Sequence, residues 1–236
     1  MPTDRPPVSN IAAFMCAPFW FLQIRLCKEL KRRYGCNIHF YVGSEEDKKY
    51  LRECLEPEFH PYIVQRCSTH ALPKPEKPDR KQVFARARAW EKFLGHNLSE
   101  IIMSLRAFAR GYALGAYYYP SSVATRKMTH VDILDFFNEE MDFWKREIEE
   151  KKIDLFWEPL QIQAALCRRM GVPYRHLCQA HLDNYYYFSH DSYALNYSLV
   201  NNYEKICNVD YKPFMLEQGP VADIAFKPGF LKQFEL

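Results

Sequence analysis

Between residues 129 and 150 apolar and charged positions alternate with a helical period. Ile133, Phe137, Met141, Trp144 and Ile148 recur every three or four residues, while Lys145, Arg146, Glu147, Glu149 and Glu150 fill the opposite side. This is the pattern of an amphipathic helix. Thr129, with Asp132 three residues on, is placed to cap it. The period then changes. Ile153-Asp154-Leu155-Phe156-Trp157 is short and mostly apolar, as a strand covered on both faces requires. Ile162, Leu166 and Met170 restore the helical spacing, Gly171 can supply the left-handed residue that ends the helix, and Tyr174 to Cys178 reads as the next strand. Strand, helix and strand make a βαβ unit, which calls for a parallel sheet and a right-handed crossover.

The same alternation opens the chain. Asn10 to Cys16 reads as a strand, broken by Ala17-Pro18-Phe19-Trp20. Leu22, Leu26, Leu30 and Tyr34 mark a helix whose solvent side carries Lys28, Lys31, Arg32 and Arg33, and Gly35 ends it. Asn37 to Val42 is a second strand, Glu45 to Leu55 a short helix after a Gly43-Ser44 turn, and His60 to Cys67 a third strand. Leu72 to Asp79 holds three prolines and is a loop. Helices follow from about Lys81 to Phe93 and from Leu98 to Leu114, with Asn97 and Glu100 placed as a cap and its partner. Ser192 to Cys207 is expected to be helical. The elements predict a flexible segment over 1–9, a three-layer Rossmann-like α/β domain over 10–207, and an extension or the start of a second domain over 208–236. The expected sheet is mainly parallel, with five or more strands in an order near 3-2-1-4-5.

Composition narrows the classes. Of 236 residues 48% are apolar, enough for a core, and the net charge of +3 is too weak to argue for a nucleic-acid partner. Eight cysteines are scattered with no C-x-x-C pair, so no metal site is expected and buried thiols in a reducing cytoplasm are. No apolar run reaches the roughly 18 residues of a membrane span. The basic residues of the first helix, with Arg80, Lys81, Arg86 and Arg88, offer either a solvated face or a peripheral membrane contact.

Ligands of an open parallel sheet collect beyond the carboxyl ends of its strands. That rule selects Trp20 after the first strand, Ser68 and His70 after the third, Glu158 after the fourth, and His181 and Asn184 after the fifth. The first loop has no G-x-G-x-x-G and no G-x-x-x-x-G-K-[ST], so no dinucleotide or P-loop cofactor is expected. Glu158 can act as an acid, a base or an acceptor for a sugar hydroxyl, or it can cap the next helix. His181 with Asp183 can serve as a base with its orienter, or as surface polar residues of a loop. Arg106 and Arg110, four apart on one helix, can grip a phosphate or carboxylate, and Tyr187 belongs to an aromatic run that can line a sugar or enter the core.

Lys152-Ile-Asp-Leu-Phe-Trp-Glu-Pro, Ala164-Ala165 and Met170-Gly-Val-Pro-Tyr resemble a pattern in the N-terminal half of GT-B glycosyltransferases. Arg106-Ala-Phe-Ala-Arg-Gly-Tyr is similar to a segment of bacterial capsule and surface polysaccharide biosynthesis proteins, although Leu105 stands where an acidic residue is expected. The resemblance implies an acceptor-side domain that binds a sugar or lipid-linked sugar. The nucleotide-sugar donor would be held by a second domain, in the same chain or on a partner subunit. Glu158 and His181 would be the catalytic candidates. Trp20, Ser68, His70, Arg106, Arg110, Asn184 and Tyr187 would contact the acceptor.

Overall fold

Six strands form one sheet. In the computed structural model they are β1 (Asn10–Phe14), β2 (Asn37–Val42), β3 (Ile63–Gln65), β4 (Leu155–Trp157), β5 (Tyr174–Gln179) and β6 (Tyr186–Ser189). Their order is β3-β2-β1-β4-β5-β6, with the first five parallel and β6 antiparallel to β5. The expected 3-2-1-4-5 order is therefore present, with one antiparallel strand added at the edge. The structure describes residues 8–15, 20–66, 74, 76–104, 128–179 and 186–190. The chain divides into two compact units, 1–196 and 197–236, and every described residue lies in the first.

Side-chain alternation along the strands builds two cores. Ile11, Ala13, Ile38, Phe40, Val42 and Trp157 face α1 (Trp20–Tyr34) and α2 (Glu45–Cys54), meeting Ile24, Cys27 and Leu51. Ala12, Phe14, Tyr41 and Phe156 face the other way. They meet α3 (Arg80–Leu94), α4 (Leu98–Ser104), α5 (His130–Glu150) and α6 (Gln161–Met170). Ala12 and Ala13, each 1% exposed, point from the middle strand into the two opposite cores.

The helix ends follow local chemistry. Thr129 and Asp132 form the expected capping box of α5. Ser44 and Asp47 do the same for α2. Asp79 caps α3 by accepting the Lys81 N–H at 2.8 Å. Gly171 ends α6 at φ +72°, a left-handed turn that costs glycine nothing. Asp154 explains why a carboxylate opens the fourth strand: its Oδ2 accepts the backbone N–H groups of Ser9 and Asn10, at 2.8 and 2.9 Å, and ties the start of β1 to β4.

Two expectations need correction. The third strand is shorter than His60 to Cys67: Pro57–Tyr62 is a 3-10 helix and β3 spans only Ile63–Gln65. Pro57 and Pro61 lack the N–H groups a ladder needs, and His60 Nε2 lies 3.1 Å from the Leu55 carbonyl oxygen instead. The fourth strand starts at Leu155, because Ile153 packs in the core below α5 and Asp154 holds the chain start. Leu155 itself is half-buried, while Phe156 is fully buried. The helix expected over Ser192 to Cys207 lies outside the described residues.

Candidate functional site

The strand order reverses between β1 and β4. The chain runs from β1 outward to β2 and β3, and from β4 the other way to β5 and β6. In such sheets the crevice lies beyond the carboxyl ends at this point. The described residues there are Met15, Glu158 and the end of β5.

Glu158 adopts a left-handed backbone, φ +55°, rare for a residue with a Cβ. Pro159 follows and by itself favours an extended residue, so the left-handed turn is held by contacts with β5: the Glu158 N–H donates to the Arg175 carbonyl at 2.9 Å. The side chain does not cap α6, whose N-cap is Leu160, a residue without a side-chain cap bond. It turns to β5 instead. Oε1 accepts the Leu177 N–H, and Oε2 lies 3.5 Å from His176 Nδ1. The Glu158 and His176 side chains are 11% and 16% exposed. His176 Nε2 is buried and has no hydrogen-bond partner.

The antiparallel edge strand extends this cluster. His176 pairs with Ser189 and Cys178 with Tyr187 across the β5–β6 ladder. Directly paired residues share a face, so His176, Cys178, Tyr187 and Ser189 lie on one side of the sheet. Burial pushes the Cys178 thiol above its ordinary value, against the opposing effect of the Tyr187 hydroxyl. Burial also raises the Tyr187 hydroxyl, with Cys178 adding to it. A thiol held protonated is not a nucleophile, so the working pair in this cluster is carboxylate and imidazole. Such a pair can orient a ligand hydroxyl or accept its proton. No group of three His, Cys, Asp or Glu able to hold a metal occurs among the described residues.

Of the residues selected from the sequence, Glu158 and Tyr187 fall in this cluster. Trp20 sits apart: it packs beside the α1–α2 core, its ring 5.4 Å from Tyr50, and its indole N–H is buried without a hydrogen bond. Ser68, His70, Arg106, Arg110, His181 and Asn184 lie outside the described residues. His176 was not selected. Its signal is the ladder register, since Phe156 pairs with Tyr174 and Trp157 with Arg175, which sets the next residue, Glu158, level with His176. The expected neighbourhood of β4 and β5 does not fix that register, which is set by the ladder itself.

The chain matches no protein-family model, no curated protein and no solved structure. The fold is an α/β domain with a mixed, mostly parallel six-stranded sheet, compatible with the Rossmann-like class. No helix among the described residues is long and apolar enough to cross a membrane.

Proposed function

We propose that this domain is the acceptor-side half of a glycosyltransferase-like protein of capsule or surface polysaccharide biosynthesis. Its ligand is a sugar or lipid-linked sugar, and the nucleotide-sugar donor is held by a second domain in the same chain or a partner subunit. The observation that carries the reading is the Glu158–His176 pair at the carboxyl end of β4, beside the point where the strand order reverses. In this reading a sugar hydroxyl enters the crevice, Glu158 and His176 orient it, and Tyr187 flanks it. The donor then supplies the electrophilic carbon.

A non-catalytic binding domain on the same fold is the second reading. One observation favours it: the Glu158 carboxylate is already engaged by the Leu177 N–H and the His176 ring, a bonding pattern that also suits a purely structural carboxylate. The purified chain, assayed with a panel of nucleotide sugars and acceptor sugars for nucleotide release, separates the two. The expected result is no turnover by the chain alone and turnover on addition of a donor-binding polypeptide, lost in Glu158→Gln. Saturable acceptor binding with no turnover under any pairing supports the second reading.

A further inference from the structure

Helix α3 carries a groove that the acceptor reading does not use. It is lined, among the described residues, by Arg80, Lys81, Phe84, Ala85 and Arg88, and encloses about 400 Å³. These positions are i, i+1, i+4, i+5 and i+8, so they share one helix face. Arg80 and Arg88 lie eight residues apart, about 12 Å along the axis, with an apolar floor between them. The Arg80 guanidinium stands 5.6 Å from the centre of the Phe84 ring. The same ring makes an edge contact with His130, the two ring centres 6.3 Å apart.

This face gathers three cations around one apolar groove. Several basic side chains elsewhere on the described surface are held by acids. Lys28 pairs with Glu56, Arg32 and Arg33 pair with Glu29, and Arg86, on α3 itself, pairs with Asp142 at 2.5 Å and Asp135 at 3.6 Å. Arg80, Lys81 and Arg88 make no ion pair with any described residue. The nearest acid in sequence, Asp79, spends an oxygen on the Lys81 N–H. On α1 the cations Lys28, Arg32 and Arg33 are paired and Arg25 and Lys31 make no ion pair with a described residue; on α3 the three unpaired cations share one face and border one groove.

We propose that the α3 groove binds a phosphate-bearing amphiphile. The phosphate is taken by Arg80, Lys81 and Arg88, and the apolar part lies on Phe84 and Ala85. Guanidinium groups favour phosphate because their planar fork matches its oxygens. The groove volume falls within the range of small-ligand sites, roughly 300–1,000 Å³. Two sources share this chemistry, a lipid headgroup at an anionic bilayer and a soluble phosphate ester.

The experiment measures binding of the purified chain to two probes: vesicles of phosphatidylcholine with phosphatidic acid, by co-sedimentation, and glycerophosphate or pyrophosphate, by calorimetry. Each is done at low and high salt, since exposed charges are screened as salt rises. The triple variant Arg80→Ala, Lys81→Ala, Arg88→Ala keeps the helix, because alanine has the highest helix propensity. Near an anionic surface each basic residue is worth about fivefold, so this variant should lose vesicle binding about a hundredfold. The control Lys28→Ala, Arg32→Ala, Arg33→Ala removes the same formal charge from α1 and should change binding less than about threefold. Vesicle binding untouched by soluble phosphate supports the proposal and assigns the lipid. Binding of the soluble esters supports it and assigns a free phosphorylated ligand. A native chain that binds neither probe overturns it, as does one that binds only a polyanion such as heparin. An α1 control that loses as much as the α3 variant also overturns it, because bulk charge would then account for the binding.

Discussion

Arg66 and Glu140 form a charge pair whose two halves should not be equally costly to remove. Glu140, on α5, is 0% exposed. Its Oε2 accepts the Trp144 indole N–H at 2.9 Å, and Oε1 lies 2.5 Å from the Arg66 guanidinium at the end of β3. The Arg66 side chain is 31% exposed and lies over the Phe143 ring, 4.4 Å from its centre. Arg66→Ala removes the guanidinium that faces a fully buried carboxylate, a loss of about 3–5 kcal/mol when both partners are fully buried. Water can follow into the space the guanidinium leaves, so about 2–3 kcal/mol is expected here. Glu140→Gln keeps the shape and still offers an oxygen to the indole, while the freed arginine reaches solvent; about 1 kcal/mol is expected. The double variant should be more stable than Arg66→Ala alone, with a coupling of about 1–2 kcal/mol. Urea unfolding read by tryptophan fluorescence measures all three, and a 2–3 kcal/mol loss moves the midpoint by about 1 M for a typical slope. If Arg66→Ala costs no more than Glu140→Gln, or if the two losses simply add, the buried-charge argument fails.

Three more perturbations test the fold. His39 is 9% exposed, and burial, helped by the nearby Lys151 cation, pushes its imidazole down to about 4. Its folded value lies below the unfolded one, so the unfolded chain binds the proton first; stability is intact above about pH 6.5 and falls by roughly 3 kcal/mol on acidification to pH 4. His39→Gln should remove that slope in melts taken from pH 7 to pH 4, and an unchanged slope would refute the assignment. Lys152 holds φ +50° on an exposed turn, and Lys152→Gly should raise stability by about 0.5–1 kcal/mol by relieving the left-handed strain. A lower melting temperature would contradict it. Phe156→Asp should abolish folding, because Phe156 is fully buried against Tyr41 and Trp144. Leu155→Asp, at a half-buried position, should be milder, and equal loss of cooperative melting by the two would refute the difference in burial.

Local chemistry in the chain determined most of the elements. The apolar stripe from Ile133 to Ile148, the Thr129–Asp132 box, the Gly171 stop and the short apolar run before Glu158 each depend on residues within a few positions of one another. The βαβ unit and the expected strand order followed from them together with the handedness of parallel crossovers. Register across the sheet was decided only by the tertiary structure. His176 reaches Glu158 because β4 and β5 pair in a given register, and Tyr187 joins them because β6 folds back antiparallel. Pro159 disfavours the right-handed helical region for Glu158 locally, but the Arg175 carbonyl and the Leu177 N–H decide that its carboxylate serves β5 and leaves α6 uncapped. The sequence ranked the basic faces of α1 and α3 together. Glu29, on the same helix, and Glu56, on a distant segment, pair with Arg32, Arg33 and Lys28 of the first, while Arg80, Lys81 and Arg88 of α3 pair with no described acid. Whether a lysine or arginine is spent or free depends on which carboxylate the fold brings within about 4 Å of it, and for pairs such as Lys28–Glu56 or Arg86–Asp142 no local pattern carries that distance.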